Sequence, residues 1–130
     1  MHNKRMLRCL VVGLALLVFG ASQAMASWID GSKAQLQALD KITARISTLT
    51  ATIGMPIRFG TLEITVQRCA FRPPEEPPEN VAFLEVYDQG HDASLPRRRV
   101  FSGWVFSSSP ALSALEHPVF DITLIDCLAE

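Results

Sequence analysis

Leu62, Ile64 and Val66 stand between Glu63, Thr65 and Gln67, the period-two alternation of a strand with one buried face. Phe120, Ile122 and Leu124 repeat it against Asp121, Thr123 and Ile125. Val81 to Tyr87 predicts a further strand. Val100 to Phe106 carries apolar or aromatic residues on both parities, which predicts a strand near the middle of the fold. Gly54-Met55-Pro56 reads as a turn into a short extended stretch at Ile57 and Phe59. The change of parity across Gly60 places a tight turn or bulge there.

Two patterns compete from Ala34 to Ile53. Ser32 and Gln35 match a helical capping box, whereas the Thr-rich later part favours strand. The strand is preferred. Ile42, Ala44 and Ile46 share one parity and Leu49, Ala51 and Ile53 the other, so a bulge near Ser47 or Thr48 is expected to turn both sets inward. Ser27 to Gly31 has turn chemistry and is expected to fray.

After Cys69 and Phe71 comes Arg72-Pro73-Pro74-Glu75-Glu76-Pro77-Pro78-Glu79-Asn80, whose prolines remove ladder donors and favour polyproline II geometry. It is expected to be an exposed, stiff loop, on the plainer reading a crossover between sheets kept soluble by its glutamates. Asp88 to Pro96 is polar and turn-rich. Ser109 as cap and Pro110 at the first helical position predict a short helix with Leu112 and Leu115 on its buried side, stopped by Pro118. The fold class is therefore mainly all-β: a small antiparallel β-sandwich or partly open barrel of five to seven strands with one short helix.

The N-terminus follows a different pattern. Lys4, Arg5 and Arg8 precede an apolar run from Leu10 to Ala21, and Ala24-Met25-Ala26 fits a small-x-small cleavage site. As a helix the run would reach only about 18 Å, against about 30 Å of bilayer hydrocarbon. Residues 1–26 are thus expected to be a cleavable signal peptide, with cleavage after Ala24 as second choice, and 27–130 a single exported β domain. Cys9 precedes the apolar run, the wrong side for lipidation. No stable membrane span is expected after cleavage.

Cleavage changes charge and cysteine arithmetic together. The chain's 12 basic residues lose three and its 13 acidic residues none, so the net charge moves from −1 to −4. No basic surplus remains to neutralise phosphates, which argues against nucleic acid or an anionic membrane as partner. Arg97-Arg98-Arg99 is the one basic knot, read as a solvated hairpin flank or a charged sheet edge. Of three cysteines only Cys69 and Cys127 survive, in a compartment expected to be oxidising, so they are expected to form a disulfide. There is no Cys-x-x-Cys and no four-ligand zinc pattern.

Candidate chemistry is sparse. Ser107, Ser108 and Ser109 with His117, Asp121 and Asp126 contain the residue types of a nucleophilic triad. Against it, Ser109 serves as a helix cap, His117 sits at the expected helix C-terminus, and no Gly-x-Ser-x-Gly elbow exists. His91, Asp92 and Asp88 could ligate a metal, but polar residues in one turn-rich loop are read as solvated. Glu75 and Glu76 are adjacent on a stiff loop, so they do not face one another as glycosidase carboxyls must. The loop is more telling as a preordered recognition segment. Glu75, Glu76, Glu79 and Arg72, with Trp104 lining a groove, are the candidate partner-binding residues, and Arg58, Arg68 and Arg72 are candidates to brace the glutamates. Core is the plainer reading for Trp104 and Phe106.

Four segments together resemble one family: Leu39-Asp40-Lys41-Ile42-Thr43, Phe59 to Val66, Arg72 to Asn80, and Val100 to Phe106 with Pro110 to Pro118. The family is domain of unknown function 2155. The resemblance spans nearly all of the mature chain and implies an exported protein of alphaproteobacterial type. It carries over no activity, cofactor or catalytic residue. The reading that follows is a non-enzymatic periplasmic module, without cofactor or metal, that binds a periplasmic protein or envelope component; its rival is a small hydrolase using the serine, histidine and aspartate residues.

Overall fold

The computed structural model describes residues 27–110, 115 and 117–130. They form eight strands: β1 (Ile29–Asp30), β2 (Lys33–Asp40), β3 (Arg45–Thr52), β4 (Ile57–Phe59), β5 (Leu62–Phe71), β6 (Asn80–Asp88), β7 (Arg98–Phe106) and β8 (Phe120–Leu128). All pairings are antiparallel. The larger sheet runs β1-β5-β6-β7, with β4 also on β5, and the smaller runs β3-β2-β8. Neither closes into a barrel; the two sheets pack as a sandwich.

The inner faces follow the alternation. Leu62, Ile64, Val66 and Cys69 of β5 and Ala82, Leu84 and Val86 of β6 meet Ala34, Leu36 and Ala38 of β2 and Ile122, Leu124 and Cys127 of β8. The alanines of β2 are wholly buried, small inward residues that let the facing leucines and valines interdigitate in a layer about 10 Å thick. Cys69 and Cys127 are bonded, with Cα atoms 5.7 Å apart, and tie β5 of one sheet to β8 of the other. Beside this bond the chain changes sheets: Gly31 N donates to Cys69 O and Ser32 N to Leu128 O, both at 2.8 Å.

Several expectations are corrected. The stretch from Ala34 to Ile53 is a hairpin, β2 and β3, rather than one bulged strand. Asp40 Oδ1 accepts from Ile42 N (2.9 Å) and Thr43 N (3.2 Å), a side-chain-closed turn, and Ala44 completes it at φ 56°. Ile42 and Ile46 are consequently 76% and 60% exposed instead of inward. Bulges fall elsewhere: the register steps past Ile125 in β8, Gln67 in β5 and Val100 in β7. β7 is an edge strand, not a central one. The proline-glutamate loop joins β5 and β6, neighbours in one sheet, and so is a long hairpin loop rather than a crossover between sheets. The expected helix after Pro110 falls mainly on residues 111–114 and 116, outside the described residues, as does the expected signal peptide at 1–26.

The Gly60 turn is where the pattern placed it. Phe59 pairs with Leu62, leaving Gly60-Thr61 as the turn, with Gly60 at φ +57°. A Cβ there would overlap the Phe120 ring, itself edge-on to Phe59. Gly60→Ala is therefore expected to combine left-handed strain with overpacking and to destabilise by about 2 kcal/mol, read as a lowered thermal midpoint. An unchanged midpoint would show that the turn relaxes freely.

Candidate functional site

The two outer faces of the sandwich differ in chemistry. On the smaller sheet the outward residues are mostly Gln35, Gln37, Thr48, Thr50, Thr52 and Thr123, a solvated surface. On the larger sheet burial of Ala82, Leu84 and Val86 turns Phe83, Glu85 and Tyr87 outward. The register then sets Trp104 of β7 beside Phe83 and Arg68 of β5 on its other side. Trp104 is 42% exposed and meets the Phe83 ring edge-on at 5.3 Å. Trp104 is thus not core, which corrects the plainer reading.

Arginines flank these rings. Arg97 lies over Tyr87 at 4.2 Å and pairs with Glu63, while Arg72 lies over Trp28 at 3.7 Å, cation–π contacts that fix flat aromatic surfaces in place. Arg68 pairs with Asp30 at 3.1 Å and Arg58 approaches Glu63 at 3.9 Å. Of the three arginines expected to brace the loop glutamates, only Arg72 does so, through Glu76 at 3.5 Å.

The loop carboxylates have separate roles. Glu79 accepts from Asn80 N (3.0 Å), Ser107 Oγ (3.2 Å), Ser108 N (3.2 Å) and the Ser108 hydroxyl. Burial opposes its charge, yet the bonds from Ser108, Asn80 and Ser107 outweigh that and hold its pKa below the ordinary carboxylate value. Glu79 is a structural clamp between the loop and the end of β7. Glu75 is exposed at the loop tip. Trp104, on the open face of the sheet, is held by Phe83 and not by the loop.

At the opposite end of β6, His117 is buried, 7% exposed. Its Nδ1 accepts from Val119 N (3.1 Å) and Phe120 N (3.2 Å), which puts the ring proton on Nε2, where it is donated to Asp88 Oδ2 at 2.8 Å. Both nitrogens are committed, so the ring is not free to act as a serine's base. Ser107 N meanwhile bonds Asn80 O at the start of β6, roughly 26 Å of extended chain from Asp88. Asp121 pairs with Lys41 at 3.1 Å. Ser107, Ser108, His117 and Asp121 of the suggested triad are thus each held by other partners. Asp88 is likewise taken by His117 and Gly90 N (2.8 Å), and Asp92 by Ser94; among the described residues no group of three metal-ligating side chains occurs. A hollow of about 250 Å³ opens beside His117, lined in part by Thr61, His91 and Arg98, below the roughly 300–1,000 Å³ of small-molecule pockets.

Trp28, Phe83 and Tyr87 went unsingled in the sequence, and Arg68 entered only as a brace for the loop, although one signal was there: once Leu84 and Val86 face inward, Phe83 and Tyr87 must face out.

Among the described residues the fold and its aromatic face define a small disulfide-closed β-sandwich with a broad open surface. A family described as "Uncharacterized protein conserved in bacteria (DUF2155)" matches residues 34–127, and the chain belongs to it. The chain is similar to the uncharacterized protein RP359 of Rickettsia prowazekii (strain Madrid E), 30% identical over 104 residues that cover 78% of this chain and 64% of that protein. It thus spans somewhat less than two thirds of that relative's length. No solved structure matches it. Among the described residues no helix is long and apolar enough to cross a membrane.

Proposed function

We propose that the chain is exported to the periplasm, cut after Ala26, and acts there as a non-enzymatic module that docks a protein or envelope component on the outer face of its larger sheet. One observation carries the reading. Both tryptophans and the single tyrosine of the chain border that face together with Arg68, Arg72 and Arg97, the residue types that dominate binding energy at protein interfaces. The basic-apolar-small pattern of residues 1–26 and the disulfide, a bond that persists in oxidising compartments, support export.

Trp104→Ala tests the reading, because that ring packs on Phe83 outside the sandwich core. The variant is expected to melt within about 0.5 kcal/mol of the native protein. Crosslinked capture of its partner from periplasmic extract is expected to fall about 30-fold, as for an interface anchor. Undiminished capture by a folded Trp28→Ala, Trp104→Ala double variant would remove the aromatic face from the reading. Glu75→Ala reports separately on whether contact extends to the loop tip.

A further inference from the structure

The loop that holds Arg72 and Glu76 also holds the start of the described chain. Ser27 N lies 3.5 Å and Ser27 Oγ 3.4 Å from Glu76 Oε1, while Arg72 Nη1 donates to Ser27 O at 3.2 Å. Two side chains of one loop thus meet the amide nitrogen, the hydroxyl and the carbonyl of a residue 45 and 49 positions away. Both are partly shielded, Arg72 at 21% and Glu76 at 31% side-chain exposure. The loop is braced behind them by Glu76 N to Pro73 O (3.1 Å) and Arg72 N to Glu79 O (3.0 Å).

In the precursor Ser27 N is a neutral amide with one N–H, and 3.5 Å is the long limit for such a bond. Hydrolysis of the Ala26–Ser27 bond puts the hydroxyl of water on the Ala26 carbonyl and leaves an amine on Ser27. An α-amine has an ordinary pKa of about 8 and is mostly protonated at neutral pH. It then offers three rotatable donors and a full positive charge. Arg72 occupies Glu76 Oε2 and leaves Oε1 for the ammonium. The position that cleavage charges is therefore the one that already faces the carboxylate oxygen Arg72 leaves open.

We propose that Glu76 and Arg72 form a receptor for the chain's own processed N-terminus, a clasp completed by removal of the leader that pins Trp28 against Arg72 at the edge of the aromatic face. This rests on the cleavage after Ala26 proposed above. It makes processing a condition for a fully ordered binding surface: the precursor lacks the charge at this point, and the mature protein has it.

The test is a double cycle on protein made with Ser27 as its first residue, a range that contains every strand of the described structure. One arm acetylates the α-amine, the other is Glu76→Gln. Thermal midpoint at low salt is read together with acrylamide quenching of Trp28 in a Trp104→Phe background. Acetylation is expected to lower the midpoint by about 2–4 °C with Glu76 present and to raise quenching of Trp28, and to do neither in Glu76→Gln. Equal effects in both backgrounds, or none in either, would overturn the clasp. N-terminal sequencing of protein from a periplasmic extract tests the cleavage itself: a start other than Ser27 removes the processing step, while the cycle still reports on the receptor.

Discussion

Replacing Cys69 and Cys127 together with alanine is expected to lower the thermal midpoint by more than about 15 °C. The bond spans 58 positions of sequence, and opening a loop of that length restores about 4 kcal/mol of chain entropy to the unfolded state. That compares with a net stability of about 5–15 kcal/mol for a whole domain. Its location adds to the effect. It joins the β5 and β8 strands across the sandwich, where both cysteines are almost fully buried, so the alanines also leave unfilled volume between the sheets. Calorimetry of the double variant, and of the native protein with and without reductant, measures this; a midpoint within about 3 °C of the oxidised native protein would refute the loop-closure argument.

His117→Ala is expected to cost about 3 kcal/mol, far more than a lost helix cap. The imidazole satisfies Val119 N, Phe120 N and Asp88 at once, and alanine would leave two N–H groups and a mostly buried carboxylate without that partner. The pH dependence follows from Asp88. Burial pushes its carboxyl up, but the hydrogen bonds from His117, Thr61 and Gly90 overcome this and hold its pKa at about 2, below the free value of 3.8. A carboxyl depressed in the folded state contributes stability in full above its free pKa and loses it as pH falls through the folded one. The native protein should therefore lose about 2 kcal/mol between about pH 4 and pH 2 through this group. Asp88→Asn should be less stable at neutral pH and should lack that share of the acid transition. Denaturant melts across this range check both; parallel acid curves for native protein and Asp88→Asn would show that the bond is not the group being titrated.

The same bond explains why the hydrolase reading has no footing in the described geometry. Histidine and serine occur within a few residues of one another in sequence, but Ser107 and Ser108 are drawn to Glu79 at one end of β6 and His117 to Asp88 at the other. Asn80 and Asp88 stand at the two ends of β6, and each extended residue of that strand adds about 3.3 Å between the serines' partner and the imidazole's.

What the sequence determined by itself was what consecutive residues encode. The alternation at Leu62–Val66 and Phe120–Leu124 made β5 and β8 legible, Gly60 marked its turn, and the expected pairing of Cys69 with Cys127 is the bond the structure holds. The all-β class, as a sandwich or a partly open barrel, follows from these, and the structure decides for the sandwich. Turn 41–44 stayed hidden because its chemistry is an Asp40 side chain and a left-handed Ala44, with no glycine, while Ile42 and Ile46 imitated inward positions. The alanines of β2 give too little hydrophobic contrast to declare a face. The edge position of β7, the His117–Asp88 bond, the Glu79 clamp and the gathering of Trp28, Phe83, Tyr87 and Trp104 on one surface were decided only by the tertiary structure. Each depends on which strands are neighbours and in what register. That choice is made by long-range burial between chain segments tens of residues apart, and a local pattern of period two is the same whichever neighbour a strand acquires.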